Sequence, residues 1–357
     1  EKMSKYEKIL QKANELKRRL NGILPSDFVQ SLPKFTADGK GIATRVASGI
    51  ALNALAAKLP ELVGGSADLA LSNKTWLKDI PAFQADKPEG RNIHFGVREH
   101  AMGAVVNGMA VYGGIIPYCA TFLTFADYMR TPLRLSALSG YPSIWVFTHD
   151  SIGVGEDGPT HQPVEHLATL PAIPGMVVLR PADANETMAA WNVAITRRSG
   201  PSALILTRQE VSVLDRSIYA PAEGLQRGAY VLADLGEGDP NIILIGSGSE
   251  VQLVLEAGLR LVADDVCVRV ISFPSWELFA DQSPEYRESV LPASIKARLA
   301  VEAGVTLGWE RWIGDHGTVI GIDRFGASAP YQVIYREYGL TVEAIIRKAL
   351  EVKSRSV

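Results

Sequence analysis

Cysteine is scarce in this sequence of 357 residues, which contains only Cys119 and Cys267, far apart and in apolar surroundings. This spacing supports neither a disulfide framework nor a set of cysteine metal ligands. The sequence also lacks a large excess of positive or negative charge, because its formal net charge is only −3. We therefore expect no binding of nucleic acid or of an anionic membrane surface through a global positive field. A reducing cytoplasm is the expected location.

Long hydrophobic runs are missing as well, so we expect no membrane-spanning helix. Residues 1–22 are charged throughout, which is not typical of a signal peptide. The composition, with 47% hydrophobic and 21% charged residues, is that of an ordinary globular protein. A chain of 357 residues is long enough for two domains with separate cores.

Apolar residues recur at helical spacing between residues 2 and 21, which predicts an amphipathic helix ending at Gly22. Its basic residues fit a solvated helix face, with an interaction face as the alternative. Residues 22–41 contain prolines and glycines without periodicity and predict a connection. We expect a helical linker segment at 1–38, a first domain at 39–220 and a second at 221–357.

Short apolar runs alternate with helical patterns in both predicted domains. Strands are predicted at 115–118, 143–147, 176–179, 203–207, 242–245, 267–272, 299–302 and 318–322. Residues 216–240, between the two blocks, are polar and contain glycine. The alternation predicts an α/β fold of two doubly wound domains, the first with a mostly parallel sheet and the second smaller.

One carboxylate, Glu99, stands just before the small residues of an apolar helical pattern. A partly buried acid there would stay protonated and could donate a hydrogen bond at neutral pH, because burial raises a carboxyl pKa. Taken alone, the pattern also fits a surface pair of Arg98 and Glu99.

Three aromatic residues follow at intervals of three: Phe122, Phe125 and Tyr128. On a helix they would share a broad face. Such a face is suited to core packing, and equally to stacking on a flat heteroaromatic ring.

Residues 148–163 combine glycines, prolines, acids and the two histidines His149 and His161 directly after an apolar run. The pattern predicts a loop at the carboxyl end of a strand, where ligands of open α/β sheets bind. Histidine can transfer protons near pH 7 and a carboxylate such as Asp157 can accept hydrogen bonds from sugar hydroxyls. A metal site formed by His149, Asp157 and His161 is the competing interpretation, although no further ligand spacing supports it.

The segment from Ile245 to Glu250 carries glycines at 246 and 248, as a dinucleotide-binding turn does, but it lacks the third glycine. A tight turn between a strand and a helix also accounts for it.

Four blocks, at residues 64–73, 96–103, 121–128 and 148–163, occur in the order in which they occur in transketolases, and together they resemble the pyrimidine-binding domain of that family. The likeness continues at 206–209, and residues 321–330 resemble the family's C-terminal domain. It covers nearly the whole chain. It implies a transferase that moves two-carbon ketol units between sugar phosphates with thiamine diphosphate.

The resemblance also implies a role for each matching residue. Glu99 would contact the aminopyrimidine ring of the cofactor and promote the tautomer that deprotonates the thiazolium carbon. Phe125, flanked by Phe122 and Tyr128, would hold the pyrimidine, and Asp68 would lie near the cofactor and the subunit contact.

The implied substrate residues lie in the same blocks or near them. His149 and His161 would hydrogen-bond substrate oxygens and assist proton transfer, and Asp157 would bind a donor hydroxyl. The sugar phosphate would be bound by Arg45, Ser72 and Arg208, because a guanidinium matches phosphate oxygens.

One departure from the family pattern concerns the diphosphate of the cofactor. The family holds it, with Mg²⁺ or Ca²⁺, through a Gly-Asp-Gly segment of an N-terminal domain, and this sequence contains no Gly-Asp-Gly. No metal ligands are therefore expected in this chain. The resemblance implies the C-terminal half of a transketolase, from a split gene or as a fragment. We expect a homodimer that requires a diphosphate-binding half and is inactive alone.

Three other functions stay open. Dihydroxyacetone synthase and deoxyxylulose-phosphate synthase use a similar scaffold, although His149 favours transketolase over the latter. A module that only binds a partner is the third, and it would have little need for Glu99, His149 and His161 together.

Overall fold

The computed structural model describes residues 4–355. The α-helices are α1 (Lys5–Leu20), α2 (Thr44–Lys58), α3 (Ala70–Asn73), α4 (Glu99–Tyr112), α5 (Arg130–Ser139), α6 (His166–Thr169), α7 (Ala184–Thr196), α8 (Glu250–Val262), α9 (Trp276–Ala280), α10 (Pro284–Val290), α11 (Glu310–Ile313), α12 (Tyr331–Glu337) and α13 (Val342–Arg355). Short 3₁₀ helices cover Phe28–Ser31, Leu123–Met129, Ile152–Val154 and Ala222–Arg227. Residues 1–3 and 356–357, which the predicted segments 1–38 and 221–357 include, lie outside the described residues.

The strands form one small and two large sheets. They are β1 (Gly41–Ala43), β2 (Leu62–Ser66), β3 (Asn92–His94), β4 (Ile116–Phe122), β5 (Ile144–Thr148), β6 (Val177–Leu179), β7 (Ser202–Leu206), β8 (Glu210–Ser212), β9 (Tyr230–Leu235), β10 (Ile242–Gly246), β11 (Val268–Ser272), β12 (Arg298–Val301) and β13 (Thr318–Ile320). The small sheet pairs β1 with β8.

The first large sheet has six parallel strands in the order β3-β2-β4-β5-β7-β6. Successive side chains of a strand face opposite sides of a sheet. Ile144 and Val146 of β5 therefore pack with α2 and α7, while Trp145 and Phe147 pack with α4 and α5 on the other side. The predicted doubly wound fold is confirmed.

The second large sheet has five strands in the order β13-β12-β10-β11-β9. β9 is antiparallel to β11, and the other pairings are parallel. Helices α8 and α13 cover one face, and α9 to α11 cover the other. This confirms a second α/β domain. The polar, glycine-containing segment 216–240, for which no strand was predicted, contains β9 as an edge strand.

All eight predicted strands are confirmed, with ends within a few residues of those expected. Three strands of the large sheets, β2, β3 and β9, were not predicted. The domain boundary at 220/221 stays a prediction.

The amphipathic helix predicted at 2–21 is confirmed over its described part as α1, which Ser4 caps. Helix α1 has no buried residue, and its apolar side chains are exposed along one stripe: Tyr6, Ile9, Leu10, Leu16 and Leu20. Arg18 binds it to the first domain through an ion pair with Glu61 at 2.8 Å. Within residues 4–355, every helix is too short or too polar to cross a bilayer.

Candidate active site

The predicted site residues converge on the carboxyl edge of the six-stranded sheet. Because its strands are parallel, their carboxyl ends lie side by side. Phe122 ends β4 opposite Thr148, which ends β5. Asp68, His149 and Arg208 follow β2, β5 and β7 by one or two residues. The sequence blocks are therefore brought together at one edge.

The aromatic residues form one cluster with the two histidines. The rings of Phe122 and Phe125 are stacked, with centroids 5.8 Å apart, and Phe122 stacks on His149 at 3.6 Å. Phe125 meets His161 edge-on, with centroids 5.5 Å apart, and its ring is tilted against that of Tyr128 at 5.9 Å. Phe122 is buried and Tyr128 is exposed. The flat faces available here suit a heteroaromatic ring.

The structure has a strand end and a 3₁₀ helix where the spacing of these aromatic residues suggested an α-helix. Phe122 is the last residue of β4, and a 3₁₀ helix follows over Leu123–Met129. In a 3₁₀ helix, side chains three residues apart are eclipsed. Phe125 and Tyr128 lie within this helix, with their rings 5.9 Å apart and tilted by 41°.

Glu99 is the first residue of α4, and only 8% of its surface is exposed. The hydroxyl of Thr121, beside Phe122, donates a hydrogen bond to Glu99 Oε1 at 3.4 Å. The partly buried acid expected from the sequence is confirmed, and the alternative of a surface pair with Arg98 was wrong. The carboxylate lies next to the aromatic cluster.

Hydrogen bonds to His149 define which ring nitrogen carries the proton. Thr148 Oγ1 lies 2.8 Å from His149 Nδ1 and also donates to Asn73 Oδ1 at 2.7 Å. A hydroxyl has one proton to donate. Since Thr148 gives it to Asn73, the hydroxyl oxygen accepts from Nδ1–H of His149. The neutral imidazole therefore presents Nε2 as an acceptor.

His149 is also kept neutral by its surroundings. Only 4% of its surface is exposed. Burial, together with the positive charges of Arg45 and Arg208 and the neighbouring His161, lowers its pKa to about 3. The residue has a left-handed backbone, with φ of 60°. Such a conformation costs a non-glycine residue of order 1 kcal/mol, and it often occurs at functional sites.

We expect His149 to stay neutral from pH 8 down to about pH 4 because its pKa lies near 3. ¹⁵N NMR of the imidazole should show a protonated Nδ1 and an unprotonated Nε2 over this range. Because the unfolded chain takes up this proton near pH 6.5, stability should fall as pH decreases from there towards 3. The variant His149→Gln should reduce that slope. Titration of the His149 ring near pH 6.5 would contradict the assignment.

The other two candidate residues of the 148–163 loop, Asp157 and His161, are more accessible than His149. His161 is half-buried, and its Nδ1 lies 3.0 Å from Thr160 Oγ1. Asp157 is exposed at a turn. His161 belongs to the aromatic cluster, so the loop brings both histidines to the same place, while Asp157 lies on the solvent side.

Arg45 and Ser72 are in direct contact. Arg45 Nη1 donates to the carbonyl oxygen of Ser72 at 2.7 Å, while its buried Nε has no acceptor. Burial and the charge of Arg208 lower the pKa of Arg45. Two guanidinium groups that repel each other, one of them with a free donor, form a suitable place for an anion.

Asp68 is exposed and, like His149, has a left-handed backbone with φ of 60°. It lines a cleft of about 560 Å³ together with Ser72, Trp76 and His94. This cleft lies at the carboxyl ends of β2 and β3, next to the arginine pair.

Within residues 4–355, the side chains grouped closely enough to hold a metal ion are Asp127, Glu165 and His166. Asp127 lies 3.2 Å from Nε2 of His166 and Glu165 lies 3.8 Å from Nδ1. The carboxylates thus face different nitrogens of one ring, which does not favour a single ion. The alternative metal site of His149, Asp157 and His161 does not form such a group.

Sequence reasoning did not assign a role to Asn73, Thr121 or Thr148. All three stood inside the quoted blocks, beside residues that were chosen. Their roles follow only from hydrogen bonds between segments that are distant in the chain. A buried polar residue next to a histidine or an aromatic would have been the available signal.

Two family profiles match the chain. The profile "Transketolase, pyrimidine binding domain" matches residues 40–213. The profile "Transketolase-like TK C-terminal domain" matches residues 228–341. They correspond to the six-stranded and the five-stranded sheet.

Relatives give the same result. The chloroplastic transketolase of Craterostigma plantagineum is 52% identical over 98% of this chain and 68% of its own length. The transketolase structure from Leishmania mexicana has a TM-score of 0.92 at 42% identity, over 98% of this chain and 50% of that one. A "Split gene transketolase, inactive beta4 tetramer" has a TM-score of 0.71 at 25% identity, over 89% of this chain and 100% of that one.

The chain spans about half the length of most of the curated relatives it matches. Its two sheets and its sequence nevertheless agree with one family over almost the whole of its own length. The chain belongs to the transketolase family.

Proposed function

We propose that this chain is the half of a transketolase that carries the catalytic glutamate. It would transfer a two-carbon ketol unit from a ketose phosphate to an aldose phosphate, together with a half that binds the diphosphate of thiamine diphosphate. The observation that carries this proposal is the convergence of Glu99, Phe125, His149 and His161 on one sheet edge. Thr121 and Phe122 make the contacts that link them.

The residues present fit the pyrimidine end of the cofactor. Phe122 and Phe125 offer stacked rings, and Glu99 is a buried carboxylate next to them. When bound, thiamine diphosphate supplies a carbon nucleophile for the ketose carbonyl. Phe125 would orient the pyrimidine ring, and Glu99 would hold a proton in a hydrogen bond with a ring nitrogen.

The remaining residues act on the sugar phosphate. Neutral His149 would accept a hydrogen bond from a substrate hydroxyl through Nε2, a role that its low pKa favours over carrying a proton. The more accessible His161 is better placed to exchange protons, and Asp157 would accept from a donor hydroxyl. Arg45, Arg208 and Ser72 would bind the phosphate, and Asp68 would border the cofactor.

Two partners are part of the proposal. A diphosphate-binding half would supply the ligands of Mg²⁺ or Ca²⁺. A second copy of this chain would form a homodimer. The exposed apolar side chains Leu135 and Leu138 of α5, and the uncovered stripe of α1, support contacts beyond this chain. The cytoplasmic location stays a prediction.

We expect the isolated chain to be inactive. The relative described as an inactive β4 tetramer has its full length covered by this chain, which supports self-association without turnover. In that state the uncovered apolar side chains would meet other copies of the chain.

The test is calorimetric titration of thiamine diphosphate with Mg²⁺ into the chain alone and with a transketolase diphosphate-binding half. Transfer from xylulose 5-phosphate to ribose 5-phosphate is then measured. Binding and turnover should appear only with both halves. Tight, metal-dependent binding of thiamine diphosphate by the chain alone would contradict the proposal that a second half supplies the diphosphate site. A well-folded complex without turnover would favour a sister enzyme or a partner-binding module.

A further inference from the structure

The five-stranded sheet has a crevice of the kind in which doubly wound domains bind ligands. The chain leaves β10 for β11 on one side and returns to β12 on the other, so the strand order reverses at β10. Ligands of open α/β sheets bind outside the carboxyl ends of strands at such a reversal. The glycine turn after Ile245, considered for dinucleotide binding, lies at this place.

A side chain of the first domain fills this crevice. Arg180, one residue after β6, donates from Nη1 to the carbonyl oxygen of Ser247 at 2.7 Å and to Glu250 Oε2 at 2.5 Å. Glu302, which follows β12, lies 3.8 Å from the same nitrogen. A Cβ atom at Gly248 would lie 2.7 Å from the guanidinium, so only glycine leaves room for Arg180 here.

The arginine remains charged although it is almost completely buried, with 2% exposed. Burial opposes its charge, but Glu250, Asp150 and Glu302 outweigh this effect and raise its pKa. For the carboxyl groups, burial is the larger effect and raises the pKa of both Asp150 and Glu302. Removing a single member would leave buried charge without a partner.

The same guanidinium holds the residue next to His149. Arg180 Nη2 and Nε donate to Asp150 Oδ2 at 2.8 and 3.1 Å. Asp150 in turn accepts from the hydroxyl of Ser151 at 3.2 Å, and Ser151 accepts from the backbone of Gly153. The second domain is thus connected, through Arg180, to the start of the 148–163 loop, where His149 has its left-handed backbone.

The far end of the loop is held by the second domain as well. Gln162, next to His161, donates from one amide nitrogen to the carbonyl oxygens of Gly155 at 2.9 Å and Ala327 at 3.0 Å. Ser328 donates to the carbonyl oxygen of Glu156 at 2.5 Å. These bonds join the middle of the loop, at Glu156, and its far end, at Gln162, to residues 327–328, between β13 and α12.

We propose that the C-terminal domain positions the 148–163 loop, with Arg180, Gln162 and Ser328 as positioning residues that keep His149 and His161 directed at the substrate. The crevice of the second sheet therefore receives an arginine of the first domain in place of a ligand. The expected effects on turnover rest on the proposed transferase function. The contacts between the two domains do not depend on that function.

The test uses the active holoenzyme that contains this chain, with the variants Ser328→Ala and Arg180→Lys. Ser328→Ala should lower kcat about three- to tenfold, since one hydrogen bond is lost. Arg180→Lys keeps the charge but loses the paired bonds to Asp150, and should lower kcat about 10- to 100-fold through misplacement of the loop. The KM for the aldose phosphate should change less than about twofold, because Arg45 and Arg208 lie outside the loop.

Ser289→Ala is the matched control. Ser289 also donates to a backbone carbonyl, that of Tyr286 at 2.7 Å, on an exposed helix of the same domain away from the loop. Hydrogen exchange of residues 152–161 should be faster in Ser328→Ala than in the parent and unchanged in Ser289→Ala. Equal exchange and equal kcat in the two serine variants would overturn the proposal.

The two proposals can fail separately. A parent holoenzyme without ketol transfer would contradict the proposed function, while the exchange comparison would still decide whether the second domain holds the loop. An active parent with unchanged Ser328→Ala and Arg180→Lys variants would overturn only the positioning role. An Arg180→Lys variant that does not fold leaves the decision to Ser328→Ala.

Discussion

Replacing Glu99 with glutamine is expected to lower ketol transfer by at least about a hundredfold, the usual size of a lost proton-transfer group. Glutamine keeps the shape of the side chain, and its amide oxygen can still accept from Thr121, as Glu99 Oε1 does at 3.4 Å. What it cannot do is share a proton with a ring nitrogen of the cofactor. Steady-state turnover of the reconstituted holoenzyme is the measurement.

The fold should tolerate this change, because glutamine matches the shape of the side chain it replaces, which is only 8% exposed, and keeps an oxygen that can accept from Thr121. We therefore expect an unchanged Tm and unchanged phosphate binding through Arg45 and Arg208. Glu89→Gln, at an exposed position, is the matched control and should retain parent turnover. A Glu99→Gln enzyme within about threefold of the parent in kcat would remove the cofactor-activation role.

Two of the strands that the sequence predicted, β5 and β10, are buried on both faces. All five residues of β5 and of β10 are buried, and both strands read as unbroken apolar runs. β9 escaped prediction because it is an antiparallel edge strand with buried and accessible residues mixed, between polar turns. β3 has only three residues and gives too short a pattern.

The residues of the candidate site could be chosen from the sequence, but their chemistry could not. The motif marked His149 without indicating that Thr148 and Asn73 define its tautomer. Nor does a sequence show that His149 and Asp68 adopt left-handed backbones, since neither is glycine. These properties depend on contacts between segments that only the folded sheet brings together.

Strand β2 was not predicted because it contains two adjacent glycines. Its glycines, Gly64 and Gly65, weaken any strand pattern, but each lies against a neighbouring backbone. A Cβ atom at Gly64 would lie 2.0 Å from the carbonyl oxygen of Tyr118 on β4, and one at Gly65 would lie 1.9 Å from that of Ile93 on β3. The close approach of three strands requires glycine at both positions.

Gly64→Ala should therefore destabilise the chain by about 3 kcal/mol or more, at the upper end of overpacking effects, because the clash is with backbone that cannot rotate away. Since Asp68 and Ser72 follow β2, the rate of ketol transfer should decrease together with the stability of the fold. Denaturant unfolding followed by circular dichroism measures the loss.

Gly108→Ala adds the same methyl group where nothing lies within 4 Å, in the interior of α4. Alanine there should stabilise the chain by about 0.5 to 1 kcal/mol, since it reduces the conformational entropy of the unfolded state. Both substitutions replace glycine with alanine. If Gly64→Ala lowers the free energy of unfolding while Gly108→Ala raises it, the loss must come from the contact between strands. A Gly64→Ala chain as stable as the parent would mean that β2 and β4 do not approach each other this closely.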